Sequence, residues 1–153
     1  KNVKTKYFSI FNADGSFDPY ELEGMYNQIK NSSLDLLLAS RYKKDASSED
    51  DTLITLIGNK IFTLIGRVFF NLPISDILYT YVMGDTQKIL GLNLKQKDFT
   101  LCVELPIKAK RNGLNMEDIS ANEKSRIGGT KKVNALKDGF LILIHMIKLF
   151  LNK

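Results

Sequence analysis

Apolar and polar residues fall along this chain in blocks, and the blocks set the expected elements. Tyr7 to Phe11 is apolar apart from Ser9, the pattern of a buried strand rather than an alternating surface one. The run stops at Asn12-Ala13-Asp14-Gly15. Asp18-Pro19-Tyr20-Glu21 then offers a capping aspartate, a proline at the first helical position and a glutamate at the third. Leu22, Met25, Tyr26 and Ile29 follow at i, i+3, i+4 and i+7, so the spacing predicts a helix with one stripe on a sheet, ending at Asn31-Ser32-Ser33. Leu34 to Ala39 reads as a second buried strand, and strand, helix and strand in this order predict a parallel pair with a right-handed crossover.

The second half is more helical. Thr52 to Asn71 predicts a long helix in which Lys60 and Arg67, the charged residues, lie seven apart on one face, while Leu53, Ile57, Leu64 and Val68 fill much of the rest. Those charges argue against a span of about twenty uninterrupted apolar residues and predict a helix that is buried or leans on a membrane. Asp76 opens an aromatic and β-branched segment reaching Met83. Asp85 to Leu94 predicts a short helix, Phe99 to Asn112 a longer one kinked at Pro106, and Leu114 to Ser120 a strand. Val133 to Lys153 closes the chain as a helix. Its stretch Phe140 to Leu151 holds ten apolar residues among twelve. Twelve residues rise about 18 Å against a hydrocarbon core of about 30 Å, so this helix does not cross a bilayer alone. An interfacial helix and a core-docking terminal helix both fit it.

Composition narrows the classes. With 153 residues, 44% hydrophobic and 25% charged, the chain has enough material for one domain with a real core. The net charge of +5 is uneven: residues 1–107 carry 12 basic and 13 acidic side chains, residues 108–153 carry 10 and 4. A basic C-terminal third suits a phosphate-bearing partner or an anionic membrane surface, and equally a plain solvated face. It lacks the compact basic-aromatic pattern of a nucleic-acid binder. The single cysteine, Cys102, makes no internal disulfide, which fits a reducing compartment, and a buried small residue or a reactive thiol would each explain it. The single histidine, His145, sits in the terminal apolar helix without His or Cys partners, which disfavours zinc and histidine-based acid–base catalysis.

Three places carry candidate chemistry. Asp14, at the C-terminal tip of a strand and two residues from Asn12, stands where open α/β sheets bind ligands and suits a hard divalent cation on phosphate oxygens; the same residues also make an ordinary turn. Arg41 follows the second strand on the same sheet edge and suits bidentate phosphate binding, or pairing with the acids of the serine-rich run 43–51, itself read as a mobile loop flanking the site. In the polar loop Ala121 to Lys132, Arg126 and Lys131 flank Gly128-Gly129, a pattern for close backbone approach to an anion or for a flexible basic loop.

Asn12-Ala13-Asp14-Gly15-Ser16-Phe17-Asp18-Pro19 resembles the Asp-x-Asp segment of family-2 glycosyltransferases, in the branch of dolichyl-phosphate and polyprenyl-phosphate sugar transferases. Ala39-Ser40-Arg41-Tyr42, Ile57-Gly58-Asn59-Lys60, Leu72-Pro73-Ile74-Ser75-Asp76 and Arg126-Ile127-Gly128-Gly129-Thr130-Lys131 are similar to further family segments, in the family's order. This chain has Asn12 where the family usually has aspartate, and Thr80-Tyr81-Val82 where it usually has Gly-Tyr-Lys or Gly-Phe-Arg. The resemblance implies an α/β fold of GT-A type, a mixed sheet flanked by helices. Residues 1–139 would be the catalytic and acceptor-side part, preceded in the family by a nucleotide-binding half, and 140–153 an apolar terminal helix. It implies sugar transfer from a nucleotide-sugar donor to a lipid phosphate at the cytoplasmic face of a membrane, or a related domain that binds without turnover. Asp14 and Asn12 would hold Mg²⁺ or Mn²⁺, Asp14 and Asp76 would be catalytic, and Arg41, Lys60, Arg126 and Lys131 would hold donor or acceptor phosphates. Glu104 matches a common family glutamate, although a helical glutamate also pairs with a base such as Lys108.

Overall fold

The computed structural model describes residues 3–128 and 134–152. They form β1 (Tyr7–Ile10), α1 (Glu21–Lys30), β2 (Leu36–Ser40), β3 (Ser47–Ser48), α2 (Leu53–Phe70) and β4 (Val82–Asp85). α3 (Thr86–Gly91), α4 (Leu101–Arg111), β5 (Met116–Ser120), β6 (Asn122–Glu123) and α5 (Ala135–Leu151) follow. This is an α/β chain with a mixed sheet flanked by helices. Its four strands run in the order β1-β4-β2-β5, and β3 pairs with β6 in a separate two-stranded sheet.

β2 shows why its sequence is apolar without alternation. Successive side chains of a strand face opposite sides. Leu36 and Leu38 enter the core built with α4 and α5, whereas Leu37 and Ala39 enter the one built with Met25 and Ile29 of α1. Both faces are covered, so all five residues are buried. β1 is less enclosed than its composition predicts: all four residues are half-buried, because β1 is an edge strand.

The expected parallel pair is present with a difference. β1 and β2 share one direction, but β4 lies between them, antiparallel to both. Gly84 fits this insertion, since a Cβ there would stand 3.0 Å from the Phe8 ring and 3.3 Å from the Asp35 carbonyl oxygen. β5 pairs in parallel with β2.

Two local expectations are corrected. Asp18 does not cap α1: the cap position is Tyr20, with no side-chain hydrogen bond, and Asp18 instead accepts from the Tyr20 amide at 3.0 Å in the preceding turn. Glu21 does not reach back to complete a cap either, since its Oε1 accepts from the Asn122 amide at 2.8 Å. The serine-rich run 43–51 is tied down rather than loose. Ser47 and Ser48 pair with Asn122 and Glu123, and Ser48 Oγ donates to Glu123 Oε2.

Candidate functional site

One sheet edge collects the chemistry. β1, β2 and β5 run together and β4 runs against them, so the C-terminal ends of three strands and the start of the fourth share an edge. Asp14 lies four residues beyond β1, Arg41 follows β2 directly, Asp76 and Tyr79 precede β4, and Glu123 and Arg126 follow β5. Ligands of open α/β sheets sit at such an edge.

Arg41 and Asp76, 35 residues apart, make the deepest contact there. Arg41 Nε donates to Asp76 Oδ2 at 2.7 Å and Nη2 to Oδ1 at 3.1 Å, a two-point fork. Nη1 adds Glu123 Oε2 at 3.2 Å and Asp51 Oδ1 at 3.6 Å, and the guanidinium carbon lies 4.6 Å from the centre of the Tyr79 ring. Burial opposes the charge, but Asp76 and then Glu123 outweigh it and hold Arg41 more firmly protonated than usual. Asp76 has no solvent-exposed side-chain surface. With both oxygens taken, it positions Arg41.

Asp14 and Arg126 come together at this edge. Arg126 Nη1 lies 3.6 Å from Asp14 Oδ2, and Nη2 3.1 Å from Asp50 Oδ2. The other Asp14 oxygen accepts from the Ser16 hydroxyl at 2.7 Å and its amide at 3.1 Å, and Ser16 foremost holds the carboxyl below its usual range despite partial burial. The backbone fixes this junction. Ile127 N donates to Asp14 O at 2.8 Å and Lys124 N to Ser16 O at 2.9 Å, while Gly15 takes the left-handed conformation, φ 84°, directly under Ile127.

A cavity of about 380 Å³ opens beside these groups. Its polar wall includes Asn12, Arg41, Asp50, Asp51, Glu123 and Arg126, and its apolar wall comes from α2 and α5, including Ile54, Ile57, Ile61, Leu136 and Ile142. A smaller apolar cavity of about 320 Å³ shares Tyr79, Thr80, Phe99 and Cys102 with it.

Lys60 is not brought to this cluster. It is exposed on α2, and its neighbour Asn59 faces inward, donating to the Tyr42 hydroxyl at 2.6 Å; that hydroxyl in turn donates to Asp51. One residue turns a helix by 100°, which separates the two side chains. Lys131 lies outside the described residues. Glu104 is buried in α4, where it accepts from the amides of Lys95 and Gln96 and pairs with Lys108 at 2.7 Å, a structural clasp. Cys102 is buried, and burial pushes its thiol up to about 12.

The sequence pattern did not single out Asp50, Asp51, Glu123, Tyr42 or Tyr79. Asp50 and Asp51 stand in the acidic run offered as partners for Arg41, and Asp51 is the one that Arg41 reaches; nothing local marks Tyr79 or Glu123. Among the described residues, no group of three or more His, Cys, Asp and Glu side chains converges to hold a metal ion.

No family model matches the chain. It is 24% identical over 151 residues to an uncharacterized protein of Methanocaldococcus jannaschii, covering 94% of this chain and 62% of that relative. The chain thus spans less than two thirds of the relative's length.

Proposed function

We propose that this domain is the metal- and acceptor-binding part of a GT-A type, family-2 glycosyltransferase, moving a sugar from a nucleotide-sugar donor to a lipid-linked phosphate at the cytoplasmic face of a membrane. The observation that carries the reading is the Asp14–Arg126 junction at an amphipathic cavity. Charged groups line one wall for phosphate and isoleucines line the other for an apolar chain. A water-soluble acceptor has no use for the second wall.

The residues present fit a phosphate-bridging divalent ion in a sparse way. Mg²⁺ usually takes one or two protein carboxylates beside waters and substrate phosphates, so Asp14 and Asn12 would hold it with a diphosphate supplying the rest. Mg²⁺ or Mn²⁺ there would neutralise the charge developing on the leaving diphosphate. Several carboxylates near the cavity, Asp14, Asp50, Asp51 and Glu123 among them, also favour a cation entering together with the phosphates.

Arg126 exchanges partners in this scheme. With a cation held at Asp14, Arg126 would be free to turn its guanidinium to phosphate oxygens, for which its fork is shaped. Arg41, locked by Asp76, keeps the polar wall in place. An acceptor phosphate oxygen then attacks the anomeric carbon of the donor sugar, and the bond to the nucleoside diphosphate breaks with its electron pair on the leaving oxygen. The attacking phosphate is already an anion and needs no general base, consistent with a chain whose single histidine lies in α5.

The test is thermal. Nucleoside diphosphate and Mg²⁺ together raise the Tm, Asp14→Ala abolishes the gain, and Arg126→Gln reduces it. An undiminished gain in Asp14→Ala removes the metal assignment. Asn12 favours a second reading, a binding or scaffold domain without turnover, since an amide offers one neutral oxygen where the resembled family has a carboxylate.

A further inference from the structure

Helix α2 has two apolar faces: Phe62, Ile65 and Phe70 pack against the core, and a second stripe does not. Its buried residues are Asn59, Thr63 and Gly66, polar or small, whereas Leu53, Ile57, Ile61, Leu64 and Val68 are exposed. At 100° per residue these five fall within about 80° of arc on the side opposite the buried three. A helix packed on a water-soluble core buries its apolar stripe and turns polar residues outward.

Helix α5 extends the same surface. Ile142, Met146 and Leu149 enter the core, while Leu136, Phe140, Leu143, Ile147 and Leu151 form a second, exposed stripe. The two helices pack against each other, with Phe69 and Phe150 ring centres 5.8 Å apart and Phe62 beside Gly139. Their outward stripes therefore lie side by side, and apolar surface of this extent marks an interaction face.

Charge identifies the occupant. Lys60 and Arg67 border the α2 stripe on one flank, and Lys137 and Lys148 border the α5 stripe. All four are exposed, α2 carries no acid, and α5 carries Asp138 alone. Apolar residues in the middle with basic residues able to snorkel at the edge match an anionic bilayer surface. α2 is long and apolar enough to cross a membrane by length and composition. Its packing on α4 and α5 and the bond from Asn59 to Tyr42 hold it against the domain instead.

From this we infer that the α2–α5 face docks on a lipid bilayer carrying anionic headgroups, lying on it without spanning it. Docking does not depend on glycosyl transfer. One consequence does rest on that reading: Ile54, Ile57, Ile61 and Leu136 belong both to this face and to the cavity wall, so the cavity opens toward the bilayer and a lipid-linked phosphate reaches Arg126 without leaving it.

Flotation of the full chain with vesicles of phosphatidylcholine, alone or mixed with phosphatidylglycerol, tests the docking. The wild type floats best with the anionic vesicles. Each basic residue near an anionic surface contributes about 1 kcal/mol, so Lys60→Gln/Arg67→Gln lowers partitioning onto them by about thirtyfold and leaves neutral vesicles little changed. Leu64→Glu/Phe140→Glu abolishes flotation with both, and circular dichroism checks that it stays folded. If the wild type floats with neither vesicle, if the charge-neutralised variant floats as well as wild type, or if the face instead holds a dimer that the glutamates split, the proposal falls. Neither donor nor acceptor is present, so flotation together with a failed nucleotide thermal shift leaves the docking standing and removes the enzymatic reading alone.

Discussion

Arg41 grips both oxygens of Asp76 at 2.7 and 3.1 Å, although 35 residues separate them, and this pair anchors the polar wall of the cavity. Replacing Arg41 by Leu strands a carboxylate with no exposed surface, and breaking a buried pair in this way costs about 3–5 kcal/mol. Chemical denaturation of Arg41→Leu reads that loss directly. Arg41→Lys keeps the charge but not the fork, and falls between the two. A loss below about 1 kcal/mol, the range of an exposed pair, would mean that the contact is not a structural anchor.

Glu21 carries a pH-dependent cost. Burial first of all pushes its carboxyl above the usual value, although the Asn122 amide opposes this, and Oε2 is buried without a hydrogen-bond partner. The native state therefore holds the proton more tightly than the unfolded chain. The resulting penalty is absent below the unfolded carboxylate range and grows as pH rises through the folded pKa. Glu21→Gln keeps an oxygen for Asn122 and should raise the Tm at neutral pH, with the gain disappearing in acid. A gain of equal size at both pH values would contradict this.

Gly15 should tolerate no side chain. Its positive φ costs an L-residue about 1–2 kcal/mol, and a Cβ would stand 2.7 Å from Ile127 Cγ1. Gly15→Ala is expected to lower stability and to loosen the segment that carries Arg126. Adding Ile127→Ala relieves the clash and recovers part of the loss, whereas the backbone part stays. Full recovery would place the whole effect in the clash.

Cys102 should be inert in the folded protein. Its thiol is enclosed, donates to the Phe99 carbonyl at 2.7 Å and titrates far above neutrality. Maleimide labelling at pH 8 should be slow until denaturant is added. Rapid native labelling would show that the thiol is reached through the adjoining cavities despite its burial.

The fold was legible where side-chain periodicity reports burial directly. Met25 and Ile29 gave the inner face of α1, and the unbroken run at Leu36–Ala39 gave a strand covered on both sides. β4 was hidden because its place between β1 and β2 depends on pairings with residues more than 40 positions away. In α2 the period was visible but left two outcomes open, a buried helix or one leaning on a membrane, and the structure turns Asn59, Thr63 and Gly66 to the core side. The site divides in the same way. Asp14, Arg41 and Arg126 stand near strand ends, where a sequence reading can place them. Asp51 belongs to the acidic run already offered as a partner for Arg41, whereas the pairing of Arg41 with Asp76, the carboxylate of Glu123, and the choice of Asn59 over Lys60 arise from contacts that no local spacing encodes.

The most direct measurement is sugar transfer itself. The full-length protein is incubated with radiolabelled nucleotide sugars, Mg²⁺ or Mn²⁺ and a short polyprenyl phosphate in mild detergent, and the organic phase is counted. Our account predicts extractable label that requires the divalent ion, disappears in Asp14→Ala and survives in Leu64→Glu/Phe140→Glu, since detergent presents the acceptor without a bilayer. Label that persists in Asp14→Ala, or no label with any nucleotide sugar from protein that binds nucleoside diphosphate, would contradict it.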